Sequence, residues 1–334
     1  MPLIWKDDPA YPLNAAFMSR QLDVRPGLAD RFLEVNAGGN GVVVKADTII
    51  PLKSGSTWKT YIFTADTAVT TLDTGSLTLG TNYYVYLCDN NTDNGLLLLS
   101  ANSTAPSGYT ASNSRKIGGF HYGRRRNSMT VADVTSNVVV PNSVWDLCHR
   151  PRCSPEGMAY IGNGVWVDIY LVSVNAAITF SAGNGSPLTG GSGRSAYNAV
   201  PLTGTEGLNW YNFAELAQRS GKRLLTIDEW IQAAYGSPQG NDTNNVNAWS
   251  ATSNTGRQNT GQVVNAISLL NIVDCAGNVF EWTDNNSDVG ENFWITILGG
   301  SWNSGTGAHS RRFSEQTAAT ISTSIGARFA CDSL

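Results

Sequence analysis

A chain of 334 residues that is 41% hydrophobic and only 14% charged has enough apolar mass for more than one core, and must cover its surface with Ser, Thr, Asn and Gly. Its net charge of −4 argues against a nucleic-acid-binding face. No stretch reaches the roughly 18 to 20 apolar residues needed to insert in a membrane, and no apolar signal-peptide core is read near Met1.

Residues 1–37 are mixed, and Gly27–Val35 is compatible with two turns of helix. This segment is a candidate arm for attachment or oligomerisation. Residues 38–126 read as all-β, with runs such as Thr57–Asp66 and Thr81–Asp89 rich in β-branched and aromatic residues. Turn signals separate them, and the spacing predicts a sandwich or small barrel, read as a structural or spacer module. Arg124, Arg125 and Arg126 form the one basic cluster, read as a solvated turn after a strand.

Residues 127–144 are polar and are placed as a linker, with a second domain over 145–334. In that domain Val165–Val174 reads as one strand. A helix is predicted through Asn209–Arg223, with Trp210, Phe213, Ala214, Leu216 and Ala217 inward and Gly221 as the stop. A second begins at Thr226, whose capping box is completed by Glu229. Ile227, Trp230, Ile231 and Ala234 form its apolar face. Two helices followed by short strands in long loops give an α+β pattern.

Five dispersed cysteines do not make a disulfide scaffold. Cys148 and Cys153 are the one close pair, able to bridge or to hold a metal with His149, although free, buried thiols are the better reading. Three histidines far apart in sequence (His121, His149, His309) argue against a histidine metal centre.

Four words occur in order in the C-terminal half: Lys222–Trp230 (KRLLTIDEW), Asp274–Thr283 (DCAGNVFEWT), Leu298–Trp302 (LGGSW) and Ile325–Cys331 (IGARFAC). They resemble the formylglycine-generating-enzyme-like branch of the C-type lectin-like fold. Trp230, Trp282 and Trp302 suit an aromatic core, and Glu281 and Arg328 suit an internal ion pair. Upstream, Phe63–Thr71, Asn82–Asp89, Ser103–Gly123, Val144–Pro151 and Val165–Asn175 are similar to the phage major tropism determinant family. The match runs from about residue 38 onward, and residues 1–37 depart from the family's β-prism segment.

The resemblance implies an all-β sandwich followed by a C-type lectin-like domain in a homotrimeric, non-catalytic receptor-binding protein. It implies location on a virion tail fibre, or otherwise outside or on a cell, with a virion tail partner and a cell-surface protein or glycan as ligand. It also implies a binding surface diversified by a retroelement that rewrites adenines near the end of the gene. Carried over residue by residue, the variable positions are Ser301, Asn303, Gly305, Gly307, Ser314, Gln316, Thr317, Thr320, Ser322, Ser324 and Ile325. Gly299, Gly300, Trp302, Arg311, Gly326 and Arg328, with Trp230, Glu281 and Trp282, form the fixed frame. The family has one residue more between Arg311 and Gly326. Thr320, Ser322 and Ser324 alternate as on one face of a strand, and His309 and Phe313 could add contact area.

Three rivals are weighed against this expectation. A formylglycine-generating oxidase needs a cysteine pair after the Gly-Gly-Ser word, where this chain has none. A calcium-dependent lectin would use Asp284, Asp288 and Glu291, but their spacing is not an EF-hand and a solvated acidic loop is the simpler reading. A structural calcium there stays open, and no cofactor is expected. The third rival is a passive fibre or decoration protein, and it turns on whether ligand binding depends on residues 301–325.

Overall fold

The computed structural model describes residues 31–91, 95–174, 187–289 and 292–334. These divide into two compact units. The first holds the described residues up to Ser76 together with Tyr83–Gly119 and Trp145–His149. The second holds Leu77–Asn82, Phe120–Val144 and Arg150–Leu334.

The first unit is all-β. Strands β1 (Leu33–Val35), β2 (Val42–Val44) and β5 (Thr67–Val69) form one sheet, and β3 (Thr48–Ser54) pairs with β4 (Thr57–Phe63) across a turn at Gly55, where φ is +59°. Leu33–Val35 is therefore a strand in register with Val42–Val44, not the end of a helix. Its β-branched partners supply a ladder that helix periodicity alone does not reveal, while residues 27–30 lie outside the described part. Strand β6 (Thr81–Cys88) pairs with β7 (Leu96–Ser100), and β10 (Trp145–Asp146) pairs with Gly118 and Gly119 of β8 (Ser114–Arg126), whose later residues pair with β9 (Val134–Val139) in the second unit. Asp146 is fully buried in the first unit and fastens its first strand. One carboxylate oxygen accepts the Phe32 and Leu33 amides at 2.6 and 3.0 Å, and the other accepts those of Cys148 and His149.

The expected linker is replaced by β9, which pairs with Tyr122–Arg126 of β8. The arginine cluster is accordingly strand, not solvated turn. Arg126 is only 5% exposed and donates to the carbonyls of Ser128, Met129 and Ile267. Arg124 donates to the Gly261 carbonyl and lies over the Tyr197 ring. His121, between Asn82 and the Tyr170 hydroxyl at 2.8 and 3.0 Å, is buried, and burial pushes its pKa down to about 3. It is neutral and a hydrogen-bonding core residue.

In the second unit the run Val165–Val174 is two strands, β12 (Val165–Asp168) and β13 (Val172–Val174). Strand β12 lies between β11 (Met158–Gly162) and β20 (Phe329–Asp332), with β15 (Arg223–Leu224) beyond β20, while β13 pairs with β14 (Gly193–Ser195). Helix α1 (Trp210–Arg219) starts at Asn209, whose side chain and that of Asn212 cap each other's backbone amides. It stops at Gly221, where φ is +68° and the Lys222 amide reaches back to the Ala217 carbonyl. Helix α2 (Ile227–Ala233) carries the expected Thr226–Glu229 box, and Glu229 is held bidentately by Arg223 at 2.7 Å. The α1 face buries Phe213, Leu216 and Ala217, and α2 buries Trp230 and Ala233. One core cluster surrounds Trp230 and a second surrounds Phe213, Trp282 and Phe329. Ile231, expected inward, is 42% exposed.

Candidate binding surface

The segment after Gly300 is mounted on a four-stranded sheet of order β18-β17-β16-β19. Its strands are β16 (Phe280–Val289), β17 (Asn292–Leu298), β18 (Phe313–Thr317) and β19 (Ile325–Ala327). The β16–β19 pair is parallel and matches Glu281 with Gly326 and Trp282 with Ala327. Two loops result, 299–312 and 318–324, together with the edge strand β18 between them.

Arg328 follows β19 and locks this base. It is fully buried, binds both Glu281 oxygens through Nε and Nη2 at 3.0 and 2.9 Å, and donates to the carbonyls of Asp168, Ile169 and Val273. Burial works against its charge, but Glu281 holds its pKa above the ordinary arginine value. A side chain with five N–H donors is thus satisfied by five acceptors. Asp274 lies in the same region and accepts the Gly261 amide at 2.8 Å. Burial raises its pKa to about 6, against the Gly261 bond and the Arg328 charge.

The two frame glycines are positions no other residue fits. Gly299 has φ +96°, and a Cβ there would stand 2.7 Å from the Cys275 carbonyl. Gly300 has φ +83°, and its Cβ would meet Ala308. Trp230 and Trp282 are each 1% exposed. Trp302 is not a core ring but half-buried, and Arg311 is exposed. Both sit in loop 299–312, outside the close-packed interior.

The loops' main chain is held partly by turns of its own, such as Ser304 to Ser301 and Gly307 to Ser304, and partly by other segments. The Gly305 amide donates to the Ser250 carbonyl at 2.7 Å, and the Gly240 amide to the Ala308 carbonyl at 2.8 Å. Gln239 Nε2 donates to the Thr306 carbonyl and Asp242 accepts the Thr306 amide, at 2.6 and 3.1 Å. Asn254 donates to the Trp302 carbonyl at 2.8 Å while exchanging amide bonds with Asn245. Loop 318–324 is tied the same way, through the Gly204 amide to the Ser322 carbonyl and the Phe280 amide to the Ser324 carbonyl. The loop's side chains, in contrast, bond one another: Thr317 with Thr320 at 2.9 Å, Ser322 with Ser324 at 3.0 Å and Ser301 with Asn303 at 3.1 Å. The Asn-rich stretch 236–261, legible only as a polar loop in the sequence, is the clamp. Its density of Asn, Asp and Ser, which bind nearby backbone, was the available signal.

The eleven carried-over positions do not share one environment. Asn303 is exposed, and Gly307, Ser314, Gln316, Thr317, Thr320, Ser322 and Ser324 are partly exposed. Ser301 and Ile325 are only 3% and 4% exposed. Gly305 is buried with φ +55°, and a Cβ there would run into the Asp242 carboxylate. Residues 320–324 are irregular chain ending in a turn at 323–324, not a strand, because 318–324 must return the chain from the antiparallel β18 to the parallel β19. Within β18, Ser314 and Gln316 pair with Ile297 and Ile295, whereas Phe313 and Glu315 pair with Leu298 and Thr296. Paired residues share a sheet face. On that second face Phe313, 68% exposed, joins Ile227, Ile231, Leu298 and Arg311 around a cavity of about 560 Å³. His309 is partly buried, and its Nδ1 accepts the Arg311 amide at 3.2 Å.

Among the described residues no cluster of His, Cys, Asp or Glu is arranged to hold a metal ion. Asp284 is exposed on β16, Asp288 occupies a strand position, and Glu291 falls outside the described residues.

Residues 164–333 match the sulfatase-modifying factor enzyme 1-like domain, and residues 34–146 match the Mtd second domain. A largely β second unit with two short helices is consistent with the C-type lectin-like class. The tail fiber receptor-binding protein of Bordetella phage BPP-1 is 33% identical over 322 residues, covering 87% of this chain and 79% of that protein. The U1 variant of the Major Tropism Determinant superposes with a TM-score of 0.78 at 25% identity, over 97% of this chain and 89% of the other. For the M1 variant the values are 0.75 and 26%, over 92% and 85%. The chain belongs to the major tropism determinant family of phage tail fibre receptor-binding proteins.

Proposed function

We propose that this chain is a non-catalytic receptor-binding adhesin of a phage tail fibre, and that its ligand, a protein or glycan on a target cell, meets the side chains between Asn303 and Ser324. One observation carries the assignment to that segment: its main chain is fastened by residues outside it, while its side chains touch mainly each other. Such a surface tolerates exchange of side chains without loss of shape, which suits diversification by a retroelement. Small polar groups supply adaptable hydrogen bonding, and several copies on one particle would multiply a weak single contact. In this reading the first unit is a sandwich-like spacer, the assembly is a homotrimer attached to a tail, and no cofactor takes part.

The test replaces Asn303, Gln316, Thr320, Ser322 and Ser324 together by alanine in the full chain. Adsorption to cells that bind the wild type should fall at least about tenfold, the equivalent of 1.4 kcal/mol, with the melting temperature nearly unchanged. Undiminished adsorption, or a loss explained by unfolding, would remove the segment from the binding site. Sedimentation that finds a monomer would remove the trimer.

A further inference from the structure

We infer that Cys153 and Cys331 are a cross-linking site, two thiols poised to become a disulfide that staples the early part of the second unit to strand β20. The five cysteines are free in this structure. Cys148, the neighbour of Cys153 in sequence, belongs to the first unit, whereas Cys153 is set against Cys331 by the fold. The Cys153 amide donates to the Cys331 sulfur at 3.3 Å. Both also border Gly221: the Cys331 sulfur is 3.7 Å from its carbonyl oxygen, and a Cβ on Gly221 would stand 3.5 Å from the Cys153 Cβ. Only three bonds separate a cysteine's own nitrogen from its sulfur, so a sulfur 3.3 Å from the Cys153 nitrogen is within range of the Cys153 side chain. A disulfide needs that proximity of the two side chains.

Reagents can reach the pair. Cys331 is 5% exposed, but it lines a cavity of about 190 Å³ with Arg152, Gly221, Lys222, Arg223, Ala330 and Asp332. Cys153 is the more open of the two and is the one to react first. With a low-molecular-weight disulfide such as oxidised glutathione, the Cys153 thiolate attacks one sulfur and displaces one glutathione thiolate. The Cys331 thiolate then attacks the Cys153 sulfur and displaces the second. Two glutathiones are reduced, two protein thiols are oxidised, and the two thiol protons end on the released glutathiones. Burial raises the Cys153 thiol pKa, opposed by the Lys222 charge, so the step is slow near neutrality and quickens as pH rises. Cys88 and Cys275 are closed off in the interior, at 0% and 1% exposed, and do not compete.

The test is to incubate the native full chain with oxidised glutathione at pH 8.5, count remaining thiols and map peptides without reduction. The expected result is loss of two of the five thiols, a linked peptide pair containing Cys153 and Cys331, and a melting temperature higher by roughly 5–10 °C that dithiothreitol reverses. Cys153→Ser and Cys331→Ser should each abolish the link and the rise while melting like the reduced wild type. Retention of five thiols, glutathione held singly on either cysteine, or a link to Cys148 would each overturn the assignment.

Discussion

The segment 303–324 and the stretch 325–331 adjoin in sequence and obey opposite rules. In the first, much of the backbone is tied to segments outside it and most side chains are small, polar and at least partly exposed. In the second every residue is buried, and the side chains themselves carry the structure, above all Arg328 with its five acceptors. The contrast teaches that tolerance to substitution is decided by which atoms do the holding. A loop held through its carbonyls and amides does not depend on what its side chains are.

Substitutions sharpen that contrast, and the largest effect belongs to Arg328→Ala. It leaves Glu281 buried without its partner, so a loss of about 3–5 kcal/mol is expected in denaturant unfolding. A variant melting like the wild type would mean the pair is not the lock. Trp282→Ala should cost about 3–5 kcal/mol as a cavity in a closed core, while Trp302→Ala, at a half-buried ring, should cost clearly less. Equal losses would erase the distinction between frame and loop at these two positions.

Within the loop, Gly305→Ala should destabilise by about 1–3 kcal/mol, since its left-handed backbone and the Asp242 carboxylate leave no room. Gly307→Ala has open space around the new methyl group and should change stability by less than about 0.5 kcal/mol. The ratio of the two, measured as unfolding midpoints, shows where backbone geometry limits diversity. The smallest effect is a pH dependence. The Asp274 pKa is raised to about 6 when folded, so the folded state keeps a proton that the unfolded chain gives up between about pH 4 and 6. Its contribution to stability therefore declines as pH rises through that window. Asp274→Asn should flatten that part of the melting-temperature curve, and parallel curves for the two proteins would remove Asp274 as the cause.

The helices were legible because their signals are local: Thr226 with Glu229, and Gly221 after Arg219. The ordered words around Trp230, Trp282, Gly299 and Arg328 marked the base of the surface through their resemblance to a known family. Strand β9 was hidden because Val134–Val139 carries polar residues at Thr135, Ser136 and Asn137, and only its partner β8 makes it a strand. The Asn-rich clamp and the Cys153–Cys331 contact join positions far apart in the chain, and no period or spacing records such pairs. The outward placement of Ile231 escaped the helical pattern, which marks a stripe but not the place where neighbouring packing ends.

The parallel pairing of β16 with β19 has a consequence for synthesis. Strands β19 and β20 and Arg328 all follow the polar segment, and β20 is the inner strand that joins β12 to β15. Neither four-stranded sheet of the second unit can close until the ribosome has read through residues 301–324 and delivered 325–332. A stop codon or frameshift arising in that segment therefore yields a chain with no way to complete its fold. Only copies in which the segment has been read through in frame can complete those sheets, so the order of strands acts as a proofreader of the stretch that precedes them.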